Sequence, residues 1–139
     1  MQYFFQIEYK PAVQEDVALL TFNLNHMIYN HFQECIDVCL ECASICHQTA
    51  TSCLNEANVK ELRRCIQLAT DCADVCTVAA ELMGRNSEFA ERFSQLCVKT
   101  CKACAMECDR FSSINEYCKL CADACRFCAY KCVEVSVAA

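Results

Sequence analysis

Seventeen cysteines, all after residue 34, recur at intervals of three, four and seven, a spacing that commits the chain to helices. With ~100° of rotation per residue, positions separated this way fall on one helical face. Cys35, Cys39, Cys42, Cys46 and Cys53 lie within about 60° of one another by that measure. Cys97, Cys101, Cys104 and Cys108 repeat the pattern, Cys65, Cys72 and Cys76 follow with wider spacing, and Cys118, Cys121, Cys125, Cys128 and Cys132 alternate three and four. Four segments therefore carry four thiol stripes.

The rest of the composition agrees with helices. One glycine, one proline and no tryptophan leave little turn chemistry for a many-stranded fold, and long helices with short connections are expected. The predicted class is all-α, an antiparallel four-helix bundle with a Cys-lined core plus an additional N-terminal helix. Residues 1–30 are read as an arm followed by that helix, and residues 31–139 as the Cys-rich bundle, in one domain overall.

Along the chain, Tyr3, Phe5, Ile7 and Tyr9 alternate with polar residues as a short extended arm would. Pro11 suits a first helical turn, and Val13, Val17, Leu20, Leu24, Met27 and Ile28 give a helix over 12–30. A break is expected near Asn30. The first thiol helix then runs over 31–55. Asn58 with Glu61 resembles a capping box opening a second helix that ends at Gly84, placed as the residue beyond the last turn. Ser87, with Glu88 and Glu91, starts a third helix to about 110, and Ser113 with Glu116 starts a fourth to about 135. Short connections make neighbours antiparallel.

Charge and targeting signals narrow the partners. A net charge of −6 and no cluster of Lys and Arg argue against nucleic acid. The opening MQYFFQIEYK lacks the marks of a secretory signal, no apolar run reaches membrane-spanning length, and a cytoplasmic location is expected. In a reducing compartment an odd number of cysteines is no disulfide framework, so metal or free thiol is the better reading.

Cysteine can serve as a small apolar core residue, but leucine would fill such a core better. A column of thiols offers soft ligands suited to Cu(I), Zn(II) or iron–sulfur clusters. Several clusters would have to fit one narrow bundle. Zinc in a Cys₄ site leaves two negative charges, so four such sites would bury about eight, with no Lys or Arg in phase to offset them. One Cu(I) replacing one thiol proton leaves the net charge unchanged, and i, i+4 sulfurs are within reach of a shared ion. Copper is favoured; zinc, iron–sulfur and a structural bundle with incidental thiols remain the alternatives.

The stretches CIDVCLECASIC, LATDCADVCTVAAELMGRNS, CKACAMEC and CKLCADACRFC resemble the cytosolic copper storage proteins across residues 32–135. That resemblance implies a four-helix bundle lined by cysteine thiolates, storage of many Cu(I) ions without enzymatic turnover, tetrameric assembly, and copper entering at one end. The start of the first thiol helix and the end of the second meet at one end, so His31 and Met83 join the seventeen cysteines as candidate ligands. His26, His47 and Met106 fall off the stripes. Phe111 and Ile114 suggest an apolar plug at the opposite end. The C-x₂-C pairs lie within helices facing a core, unlike the exposed helix start a redox pair needs, and no catalytic constellation is present.

Overall fold

The computed structural model describes residues 12–138, with the side chains of 12–16, 25–31 and 136–138 outside that description. The aromatic arm at 3–9 also lies outside the described residues. Four helices account for the fold: α1 (Ala12–Leu54), α2 (Arg63–Gly84), α3 (Ala90–Asp109) and α4 (Glu116–Ala138). No strand occurs among the described residues, and no helix there is long and apolar enough to cross a membrane. The chain divides into two units, Met1–His31 and Phe32–Ala139.

The expected break near Asn30 is absent, and α1 is helical over 43 residues without interruption. Nothing between Ala12 and Leu54 forces a break, since that stretch contains neither proline nor glycine. In the first unit Val17, Leu19, Leu20, Phe22 and Leu24 are exposed.

In the second unit the helices run up-down-up-down, as the pairing of sulfurs along them shows. Cys76 meets Cys97 at 3.5 Å and Cys65 meets Cys108 at 3.2 Å, so α2 and α3 are antiparallel. Cys35 meets Cys132 at 3.5 Å and Cys53 meets Cys118 at 3.8 Å, so α1 and α4 are too. The charged residues Asp37, Glu41, Lys102, Asp109, Lys119, Asp123 and Arg126, which fall off the thiol phase, are all exposed. Ion pairs lace this surface between helices, from Arg126 to Asp109 at 2.6 Å and from Lys131 to Glu34 at 2.9 Å.

Helix ends depart from the predicted caps in instructive ways. Helix α2 starts at Arg63 rather than Asn58, and its N-cap, Leu62, makes no side-chain capping bond. Asn58 instead closes a turn, its backbone carbonyl accepting from the amides of Glu61 and Leu62. Gly84 is the last residue of α2 and not the left-handed residue beyond it. That role falls to Asn86, at φ 51°, where the Ser87 amide donates to Leu82 O and the Asn86 amide to Met83 O. This is the Schellman arrangement, for which Asn is the usual substitute for Gly because its short side chain tolerates the left-handed region. At α3 the Ser87 hydroxyl does accept from a nearby amide, that of Phe89 at 3.1 Å. At α4 Asn115 is the cap in place of Ser113, its side-chain oxygen accepting from the Cys118 amide at 3.1 Å.

Candidate metal centre

All seventeen cysteines are buried, and none is joined in a disulfide. Each helix contributes one stripe because the 3.6-residue period keeps its thiols on the face turned toward the other three. Alanines fill the gaps between them, with Ala69, Ala73, Ala79 and Ala122 fully buried. Small neighbours let the helices approach closely enough for sulfurs to meet.

The sulfurs form one connected column. From one end it passes from Cys35 to Cys132 (3.5 Å), Cys39 (3.5 Å), Cys128 (3.7 Å), Cys76 (4.0 Å) and Cys101 (3.7 Å). It continues to Cys72 (3.4 Å), Cys125 (3.8 Å), Cys46 (3.7 Å), Cys121 (3.7 Å) and Cys104 (3.7 Å). It closes through Cys108 (3.9 Å), Cys65 (3.2 Å), Cys118 (3.8 Å) and Cys53 (3.8 Å). Cys97 branches from Cys76 at 3.5 Å and Cys42 from Cys125 at 3.8 Å. No thiol is left out.

Within the column, foursomes of sulfur lie inside 4.8 Å of one another, among them Cys39, Cys97, Cys128 and Cys132, and Cys46, Cys104, Cys121 and Cys125. They overlap: Cys125 also belongs with Cys42, Cys46 and Cys72, and Cys101 belongs both with Cys42, Cys72 and Cys76 and with Cys76, Cys97 and Cys128. With metal–sulfur bonds of ~2.3 Å, two sulfurs on one ion stand up to about 4.6 Å apart, so the column already has ligand spacing. Shared members favour bridging thiolates over isolated four-ligand sites.

Hydrogen bonding divides the thiols into two sets. Cys42, Cys72 and Cys97 are held far below the ordinary thiol range, chiefly as acceptors from Cys101, and Cys121 chiefly as acceptor from Cys104. Cys39, Cys46, Cys101 and Cys108 are pushed far above it by hydrogen bonding with Cys128, Cys104, Cys125 and Cys104 respectively, with burial adding to the shift. The end pair shows the same division: Cys118 is drawn down to about 3 by hydrogen bonds from Cys108 and Cys65, while burial and the charge of Cys118 push Cys53 up to about 12. Protons are shared between sulfurs, and a thiolate is favoured only where a neighbouring thiol donates to it. A cation arriving in this network competes with those shared protons.

Besides the thiols, the buried polar or charged residues described are Thr49, Ser94 and Glu107. Thr49 donates to the backbone, at 2.8 Å from Ile45 O and 3.2 Å from Tyr117 O. Glu107 faces outward chemistry, pairing with Arg110 at 2.8 Å and Arg64 at 3.6 Å. No lysine or arginine is buried among the described residues, so nothing cationic from the chain itself balances a charged core.

Of the two extra candidates, Met83 is buried at the end of α2, 2% exposed. His31 lies in α1, with its side chain outside the described residues. His47 and Met106 are exposed, as their phase requires. Of the two residues expected to form the plug, Phe111 is buried and Ile114 is 72% exposed. Ser94, three residues before Cys97 and seven before Cys101, is buried on the inward phase.

A helical bundle with a continuous interior column of thiols outside any disulfide defines a binding protein for soft metal ions. Residues 28–137 match the model of the family described as copper storage protein, and the chain belongs to that family. It is similar to a cytosolic copper storage protein from Streptomyces lividans, solved during copper loading with five coppers, at 36% identity and a TM-score of 0.78, covering 81% of this chain and 97% of that one. It is also similar to the apo form of copper storage protein 3 from Bacillus subtilis, at 35% identity and a TM-score of 0.70, covering 75% and 97%. An uncharacterized cysteine-rich protein of Bacillus subtilis, YhjQ, is 36% identical over 78 residues, 56% of this chain and 72% of that protein.

Proposed function

We propose that this chain stores many Cu(I) ions on its column of core thiolates, in the cytoplasm, as a homo-oligomer of the tetrameric kind its family resemblance implies, and that it catalyses no reaction. The observation that carries the reading is the unbroken run of sulfur contacts through all seventeen buried cysteines, none of them in a disulfide. Enzymes concentrate reactive groups at one place, whereas here identical soft ligands are spread along the length of the bundle.

Copper fits better than zinc on charge. Each Cu(I) displaces one proton and leaves the core neutral, whereas Zn(II) on four thiolates leaves two negative charges. The buried cations that would compensate zinc are absent among the described residues. The overlap of foursomes supports bridging, which a soft ion accepting two or three thiolates exploits. All seventeen cysteines, with Met83 and His31, are the proposed ligands. A related protein, BsCsp3, 34% identical over 76% of this chain, is described as Cu(I)-bound.

Anaerobic titration of Cu(I) against a chromophoric chelator tests this. Many tightly held ions per chain are expected. Saturation at one or two would point to a carrier or sensor, and none would leave a structural bundle. Native mass spectrometry of the same samples reads the oligomeric state.

A further inference from the structure

Residues 17–33 contain no Asp, Glu, Lys or Arg, although all of them lie in one helix, α1. Within the part whose side chains are described, Val17, Leu19, Leu20 and Leu24 are 66%, 58%, 63% and 60% exposed. Thr21 adds no polar demand, because its hydroxyl donates to Val17 O at 2.9 Å, inside its own helix. Single exposed apolar side chains are ordinary on a protein surface. Several close together on an uncharged stretch of helix form a patch, and such patches mark interaction sites. A helix so poor in charge is ordinarily a buried one.

The spacing says what kind of partner fits. In the sequence, Val13, Val17, Leu20, Leu24 and Met27 recur at four, three, four and three residues, the a/d seam of paired helices. At ~100° per residue these positions fall within about 80° of one another. Such a seam is complementary to itself. Charge points the same way, because identical segments carry identical charges, and a stretch without any meets its own copy without repulsion. A lipid surface is the competing partner, but helices that lie on membranes carry Lys and Arg on their polar face, and residues 11–59 contain neither. All the seam positions precede residues 28–137, the stretch that matches the copper storage family, so the seam is this chain's addition to the thiol bundle.

We infer that residues 13–27 of α1 are a self-association surface, pairing along this seam with the same segment of a second copy of the chain. Each helix then shields the other's Val17, Leu20 and Leu24 from water, and burying each such side chain favours association at least about tenfold. The inference rests on the homo-oligomer part of the reading above, to which it adds the surface. It needs no copper.

The experiment measures the mass of the full-length, metal-free chain by size exclusion with light scattering, over a wide range of concentration. Wild type is compared with Leu20→Glu/Leu24→Glu, on the seam, and with Ala18→Glu/Asn25→Glu, which places equal charge on the same helix about 130° away. Wild type should run as an oligomer. The seam variant should need at least about 100-fold more protein to reach the same mass, tenfold for each leucine lost, while the off-seam variant keeps the wild-type mass. Leu20 and Leu24 are exposed in the single chain, so the seam variant should keep the helical circular dichroism signal. If it does not, Leu24→Asn reads the same shift with a smaller perturbation. A seam variant of wild-type mass overturns the inference and leaves the homo-oligomer reading standing, whereas monomeric wild type overturns both. Equal dissociation of the off-seam variant overturns the seam geometry. Flotation of wild type with phosphatidylglycerol vesicles overturns the choice of partner and assigns the surface to lipid.

Discussion

Position within the sulfur column should decide how much capacity a single cysteine carries, and Cys125 and Cys53 form the sharpest comparison. Cys125 has sulfur neighbours at 3.8 Å (Cys42), 3.7 Å (Cys46), 3.8 Å (Cys72) and 4.0 Å (Cys121), and belongs to two foursomes. Cys53, at the end, meets Cys118 at 3.8 Å. Replacing Cys53 by Ala removes one exchangeable proton and should cost about one Cu(I) at saturation, since a soft ion needs only two or three thiolates. Replacing Cys125 by Ala removes a proton and also a bridging atom shared between two sites, and should cost about two. Metal-free stability should change little in either case, by about 1 kcal/mol, the scale of deleting one heavy atom from a packed core. Chelator competition under anaerobic conditions gives the ion count, and urea unfolding of the metal-free variants gives the stability. Equal losses at the two positions would refute the bridging argument. No loss at either would refute a column of ligands altogether.

Circular dichroism of metal-free protein should show a helical fold, because protonated thiols pack as small apolar groups; a random coil would contradict this. Copper loading should then raise the unfolding temperature in proportion to the ions bound. Apparent Cu(I) affinity should fall as pH is lowered, about tenfold per pH unit for each proton displaced, because Cys39, Cys46, Cys101 and Cys108 hold their protons above the ordinary thiol range and an ion must expel them; a pH-independent titration would refute it. Asn115→Ala should destabilise the protein by about 1 kcal/mol through loss of the α4 cap, read by urea unfolding. Asn86→Ala should cost about 1 kcal/mol and Asn86→Gly nothing, because the left-handed backbone at that position penalises a Cβ.

The thiol stripes were legible because one residue type repeats in phase on every helix and its burial follows from helical geometry. The class, the antiparallel order and the inward face of each thiol segment come from that repetition. Helix ends were less legible because several residues of capping type stand close together: Ser113 and Asn115 compete for one cap, and Gly84 and Asn86 for one left-handed position. Which of them wins depends on the backbone path between packed helices. The continuity of α1 through Asn30 departs from the expected break, and the chain there contains neither of the residues that stop a helix.

Because neighbouring foursomes hold sulfurs in common, an ion at Cys42, Cys46, Cys72 and Cys125 can pass to Cys46, Cys104, Cys121 and Cys125 while keeping two of its bonds. Motion along the bundle then proceeds by swapping one sulfur at a time, never through a bare cation in an apolar interior. The thiol column is in this sense a one-dimensional conductor of metal, able to redistribute its ions as it fills, so that vacancies made at one end can migrate to the other.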